Sequence, residues 1–418
     1  MKMGFSEIDI TPQNSVTMIG FNRKDNHSKG ILDRLVAQVS LWENKGFCCL
    51  VTIDNLGFHK NQANTLRDMI AEILDESREK VMLCFSHTHA AVNTKVEQKY
   101  FEMVCQKVCD AAKNAKACLT GVSVGWGNAF VDIGENRREN SKAVDKRAGI
   151  LKVCDVDSGE LKLLILRLTA HCNVLKRDNY LISADYFGAV RNAFEKKYHC
   201  PVMIIQGSAG NIAPKYYHST IIPIDGKGDR FINSETAFED IAQAVIKGSE
   251  WVLPEIKLQK NVKSFCYSKN LILQSKVPDI EEARKTVDEA FKFCGIDGKL
   301  WLKEVEDLRN KDICFQEEQL EIQYFEIGNW CLCGIPNETM TEFAIEVQEL
   351  LGNPYFYFNG YTNGCSSYFP TKEEYDLGGY EVYWAMLLYF REYGRVYPYY
   401  REAFDIVKKS AVENYIRI

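Results

Sequence analysis

The 418-residue sequence has no apolar run approaching the roughly 18 to 20 residues that cross a bilayer. Its opening, MKMGFSEIDITP, lacks the apolar core of a secretion signal. These absences lead to the expectation of a cytoplasmic chain without a transmembrane segment. Basic side chains are not in excess either: 51 Lys and Arg stand against 57 Asp and Glu, a formal charge of −6. A polyanion-binding surface needs the opposite balance, so no nucleic-acid partner is expected. The 15 cysteines include no CxxC, and Cys48-Cys49, Cys105 with Cys109, and Cys331 with Cys333 read as reduced, mostly buried thiols. With no internal repeat and no Pro/Ser linker, residues 1–418 read as one elaborated domain.

What is present is the composition of a folded globular chain, 46% hydrophobic and 26% charged. The segments 36–43 and 47–54 read as strands joined by the turn Asn44-Lys45-Gly46. From Gln62 to Ser77, the residues Leu66, Met69, Ile70, Ile73 and Leu74 fall on one helical face. KVMLCFS (80–86) is a continuous apolar run, as in a strand covered on both faces, and a helix follows over about 96–115. Further strands are expected at 121–127, 148–155, 161–170 and 201–207, with a helix over 183–197 before the last. The order looks βαβ-like throughout. Residues 250–316 change character, with helices at 280–293 and 299–310, and read as a divergent insertion or cap. After two more strands, a helix is expected over 338–351, and the tail from Glu373 is aromatic and helical. The fold class is therefore α/β: a mixed β-sheet core covered by helices, with an inserted arm.

Among only seven histidines, Ser86-His87-Thr88-His89 closes the 80–86 strand. On an extended backbone, residues i and i+2 face the same side, so both imidazoles can enter one pocket as metal ligand and second ligand or base. Two solvated or hydrogen-bonded histidines would leave the same trace. His171 also ends an apolar strand, whereas His199 sits in a charged helix end and reads as a cap or surface group. The segment Gly207 to Pro214 follows a buried strand, and its glycines allow close backbone approach. It lacks the Gly-Lys-Ser/Thr of a phosphate loop, and Gln206 occupies the first glycine place of a nucleophile elbow. Glu338 follows a strand and reads as the start of a helix, where the dipole favours a carboxylate.

In order along the chain, these motifs resemble the neutral/alkaline (non-lysosomal) ceramidase family, zinc amidohydrolases that cleave N-acylsphingosines. The resemblance rests on Asp9 to Pro12, Met18 to Phe21, Gly30 to Asp33, Ser86 to His89, Asn136 to Arg138, His171, Ile182 to Gly188, Gly210 to Pro214, Pro336 to Glu338, Gly360 to Asn363, Tyr368, and Tyr380-Glu381. It implies the catalytic domain of that family without its C-terminal immunoglobulin-like domain. It further implies Zn2+ held by His87, His171, Glu338 and Tyr368, and catalytic roles for His89, Arg137 and Tyr380. Gly210, Asn211 and Ala213 would bind substrate. The expected partner is a small N-acyl or O-acyl substrate, sphingolipids and other lipids included, cleaved by zinc-activated water. Two departures stand out: Ala213 replaces the family's serine, so no serine nucleophile exists there, and Asn211 replaces an acidic residue. Two other readings stay open. One is a catalytically inactive metal- or ligand-binding homologue, the other a barrel-type metal amidohydrolase drawing on His199. Tyr216, Tyr217, Phe356 and Tyr357 would suit an apolar acyl groove or a packed core alike.

Overall fold

The computed structural model describes residues 1–138, 141–215, 222–223, 229–230 and 235–416. Strands β1 (Lys2–Asp9), β2 (Val36–Glu43), β3 (Phe47–Ile53), β4 (Val81–Phe85), β5 (Thr120–Phe130), β6 (Arg147–Asp155), β7 (Leu161–Leu168) and β8 (Val202–Gln206) form one sheet. Their order is β8-β7-β6-β5-β1-β2-β3-β4. Helices α1 (Lys60–Leu74), α2 (Gln98–Ala117), α3 (Asp185–Tyr198) and α4 (Glu235–Ser249) lie between them in the chain or follow them. Parallel pairing is confined to β3 with β4 and β7 with β8, the two pairs whose connections contain α1 and α3. The other five pairs are antiparallel. The βαβ order expected throughout is thus limited to two units, because turns as short as Asn44 to Gly46 return the chain directly and cannot make a crossover.

β1 and β5 pair only at Lys2↔Gly121 and Met3↔Thr120, so the sheet turns a corner there. The Gln38 amide on β2 donates to the Val202 carbonyl on β8 at 2.8 Å, tying the far edge back across the corner. One face of the sheet is covered by helices through Leu66, Ile70, Val104, Val108, Val190 and Phe194. The other face packs on a second sheet of β9 (Ser264–Lys276), β10 (Phe315–Ile327), β11 (Trp330–Gly334) and β13 (Phe356–Asn359). Met82, Leu151, Ile165, Phe325, Leu332 and Tyr357 fill that interface. Helices α7 (Thr341–Leu351) and α10 (Ala403–Glu413) cover the second sheet through Phe343, Val347, Phe404 and Val407. The result is a helix, sheet, sheet, helix sandwich, the mixed α/β class expected from the sequence. All fifteen cysteines are free thiols, most of them buried. No helix among the described residues is long and apolar enough to cross a membrane.

Within 250–316, β9 pairs with β10 along thirteen residues, from Ser264↔Ile327 to Lys276↔Phe315. Helices α5 (Ile280–Cys294) and α6 (Lys299–Asn310) then pack against α9 (Met386–Tyr393) around Trp301, Val305, Leu387 and Phe390. This arm supports the aromatic tail, since Phe293 stacks on Trp384 with ring centroids 5.5 Å apart and the Trp301 indole donates to Val396 O at 2.7 Å. The helix expected from Glu338 begins at Thr341 instead. Glu338 and Thr339 form a short strand, β12, that pairs in parallel with β14 (Tyr368–Phe369), and that ladder displaces the first helical turn.

A buried ion cluster joins the layers. Asp145 accepts from Arg167 Nη1 at 2.7 Å and Arg147 Nε at 2.8 Å, while Arg167 Nε donates to Asn359 Oδ1 at 2.9 Å. Burial raises the Asp145 carboxyl, but the two guanidiniums more than offset it and its pKa falls from 3.8 to about 2. A depressed folded-state value means that this stabilisation is present above about pH 4 and lost as the pH falls toward 2. Asp145→Asn strands two buried cations and should cost about 3–5 kcal/mol in urea unfolding at pH 7. The gap between the two proteins should narrow toward pH 2, and a gap independent of pH would contradict this role.

Candidate metal centre

The site forms where strand ends meet. β4 runs into Ser86 and His87, and β7 runs through Ala170 into His171. The Gln206 amide at the end of β8 donates to Ala170 O at 2.7 Å and Ser86 O at 3.3 Å, joining the two tips. His87 has φ of 60°, so the His-Thr-His segment is not the extended strand expected. Ser86 N and His87 N bond to Ile53 O and Asn55 O, and the left-handed turn follows from that anchoring. Both rings still reach one place: the centroids of His87 lie 5.0 Å from His89 and 4.6 Å from His171.

Each imidazole has its Nδ1 against a backbone carbonyl: His87 on Leu56 O at 2.6 Å, His89 on Gly20 O at 2.9 Å, and His171 on Ala209 O at 3.0 Å. A carbonyl only accepts, so Nδ1 carries the proton in all three rings and Nε2 presents a lone pair. Burial, then neighbouring positive groups, hold His89 and His171 well below the ordinary histidine value. These nitrogens nevertheless face an acceptor: Glu338 Oε2 lies 3.3 Å from His87 Nε2 and 3.5 Å from His171 Nε2. His89 Nε2 and Glu338 Oε2 are buried without a hydrogen-bond partner. Ligand atoms of the three histidines all lie within 4.8 Å of one another. Converging lone pairs with no donor between them are unfavourable in a buried site, and a divalent cation satisfies them all, so this donor set fits zinc.

Glu338 reaches this point because β12 pairs with β14, which puts Tyr368 directly opposite it. Gly210 N donates to Thr339 O at 2.8 Å, and a Cβ at Gly210 would fall 2.6 Å from Glu338 O, so only glycine permits this approach. Asn211 spends its side chain elsewhere, accepting from Thr341 N at 2.9 Å and donating to Glu342 at 2.9 Å. It caps α7, and Ala213 is buried in the short ladder opposite Glu135. Neither side chain lines the cavity at the site. Arg137 Nη2 donates to Gly210 O, and its Nη1 lies 3.5 Å from Glu381. Its guanidinium sits 5.9 Å from the Tyr368 ring centroid, so Arg137 meets the site through Tyr368. Tyr380 opens a single π-helical turn and its ring lies 6.0 Å from that of Tyr368. Both tyrosines line the cavity with His87, His89 and Glu338.

Sequence reasoning missed several neighbours. Tyr361 is buried with its ring 4.3 Å from His87, and the Gly360 to Asn363 motif was a signal for it. Lys95, Cys365, Tyr389 and Tyr393 also line the cavity, and no local motif marks them. His199 is the exposed C-cap of α3, and the antiparallel pairings exclude a parallel barrel. Tyr216 and Tyr217 lie outside the described residues, whereas Phe356 and Tyr357 are buried in the cores on either face of the second sheet.

The architecture is similar to neutral ceramidase from Pseudomonas aeruginosa, with a TM-score of 0.72 and 18% identity over 98% of this chain and 73% of that one. A ceramidase complexed with C2 gives a TM-score of 0.69 and 16% identity over 98% of this chain and 74% of the other. No protein-family profile matches the chain, and no curated protein does. The chain thus has the neutral ceramidase fold, a mixed α/β architecture that its motifs imply.

If the converging lone pairs hold a cation, zinc at about a thousand times its dissociation constant should stabilise the protein by about 4 kcal/mol. The rise in melting temperature should vanish in His171→Ala. An equal rise in both proteins would place the ion elsewhere.

Proposed function

We propose that the protein is a zinc-dependent hydrolase of N-acyl amides. The observation that carries this reading is the convergence of buried acceptors: His89 Nε2 and Glu338 Oε2 have no hydrogen-bond partner, and His87 Nε2 and His171 Nε2 lie 3.3 and 3.5 Å from Glu338 Oε2. It is supported by the likeness in fold to ceramidases. His87, His171 and Glu338, whose acceptor atoms approach within 3.3 and 3.5 Å, would hold the ion, with the Tyr368 phenol beside them. A bound zinc would polarise the carbonyl and lower the pKa of water toward 7, which makes a serine at position 213 unnecessary.

The remaining groups divide the work. His89 is held in one tautomer by Gly20 O and kept neutral by burial, so its Nε2 can take a proton from water and return it to the leaving nitrogen. Burial pushes the phenols of Tyr368 and Tyr380 up, so both remain donors. Tyr380 is suited to donate to the developing oxyanion, and Arg137 polarises Tyr368 from behind. The reading as an inactive binding homologue gains no support from a site that retains every one of these groups.

The test is separation of metal binding from turnover. Zinc-replete protein should cleave members of an N-acyl panel, and chelation should abolish this. His87→Ala and His171→Ala should lose zinc, whereas His89→Ala should keep it and lose about 10²-fold or more in kcat. Because His89 must be neutral, the acid limb of the rate profile should lie below the ordinary value of 6.5. Full zinc occupancy in the first two variants, or undiminished kcat in the third, would overturn these assignments.

A further inference from the structure

The carboxylate of Glu338 stands among imidazole lone pairs, yet the ladder that carries it, β12 with β14, is only two residues long. Until a cation binds, repulsion between these acceptors pushes Glu338 away from the histidines, and so short a ladder resists it weakly. Its main reinforcement is at Ser367, the residue before β14. Ser367 O accepts from Glu338 N at 3.2 Å and from the Asn337 amide at 3.0 Å. The strand bearing Glu338 and the strand bearing Tyr368 are therefore joined at Ser367, which is buried.

What fixes Ser367 lies outside the cavity. Arg395 follows α9, is 2% exposed and does not line the cavity at the site. Its Nη2 donates to the Ser367 hydroxyl, its Nη1 to Tyr397 O at 2.5 Å and its Nε to Glu318 Oε2 at 3.2 Å. The guanidinium also lies over the Tyr399 ring, 3.8 Å from the centroid, and the Tyr399 phenol donates to the same Glu318 oxygen at 2.5 Å. The backbone on either side is held as well: the Gln316 side chain accepts from Val396 N at 2.9 Å and donates to Gly394 O at 3.2 Å, while Tyr400 N donates to Gln274 O at 2.9 Å. A buried guanidinium with its charge paired, its fork divided among three acceptors and its backbone tied to β9 and β10 has one orientation. Through it, the second sheet sets where Ser367 sits.

Resting on the reading of the histidine cluster as a zinc site, we propose that Arg395 is a positioning residue: through Ser367 it holds the short ladder so that Glu338 and Tyr368 face the imidazoles. Outer hydrogen bonds of this kind fix the direction of a metal ligand, and their loss typically weakens metal binding about 10- to 100-fold.

The experiment compares Arg395→Gln, Ser367→Ala, their double variant and Tyr267→Phe in the full chain. Tyr267→Phe removes a hydrogen bond of 2.5 Å to buried Glu326, in the core between the second sheet and α10, and so lowers stability away from the ladder. Two quantities are read: the zinc dissociation constant, by competition with a chelator, and amide hydrogen exchange at 337–339 and 367–369 in the metal-free protein. Each single variant should weaken zinc about tenfold or more. Each should also speed exchange at those amides about tenfold beyond the Tyr267→Phe protein, which should keep the wild-type zinc affinity. The double variant should lose no more than the weaker-binding single one, since both remove the same interaction. Unchanged zinc affinity in the single variants, an equal loss in Tyr267→Phe, or additive losses in the double variant would overturn the inference. Should Arg395→Gln fail to fold, Ser367→Ala decides it. If the wild type binds no zinc, the zinc reading fails and exchange alone decides the inference: acceleration confined to the ladder sustains it, and rates equal to those of Tyr267→Phe refute it.

Discussion

Four acceptor atoms converge in the interior of this protein with no hydrogen atom to share. The carbonyls of Leu56, Gly20 and Ala209 fix the imidazole protons on the outward nitrogens, which turns three lone pairs inward, those of His87 and His171 toward the Glu338 carboxylate. Folding into that arrangement is costly without a cation, since each buried acceptor loses its water. The scaffold around the site is consequently strong. Gln206 joins the two strand tips, the Asp145 cluster clamps the sheets behind them, and Gly210 admits the strand that carries Glu338.

The same scaffold explains why the converging side chains come from such distant parts of the chain. Main-chain bonds from Phe85 to Tyr361 and between Leu83 and Asn363 lay the 361–363 segment along β4, the edge strand of the first sheet. That contact covers an edge that would otherwise remain unpaired and brings the second sheet's loops over the histidines. The 250–316 arm then braces the tail bearing Tyr380, Tyr389 and Tyr393, so that side of the cavity depends on packing far from the histidine cluster.

Much of this was legible in the sequence, for physical reasons that differ by element. The strands and helices of the first sheet announced themselves by continuous apolar runs and by one-sided periodicity, as in 80–86 and α1. His87, His89 and His171 were legible because rare histidines ended apolar strands. Glu338 was found, but its helix was misplaced, because two-residue ladders such as β12 with β14 leave no periodicity to read. Asn211 looked like part of a ligand loop and proves to cap α7, a role set by a partner 130 residues away. Lys95, Cys365, Tyr389 and Tyr393 could not be read at all, since only the tertiary fold brings them to the cavity.

The account is tested most directly by anomalous diffraction at the zinc edge from crystals grown with zinc. It predicts one strong peak within coordination distance of the Nε2 atoms of His87 and His171 and of Glu338 Oε2. Crystals with zinc bound only elsewhere, or with those three atoms bonded to water or to one another through protons, would contradict it.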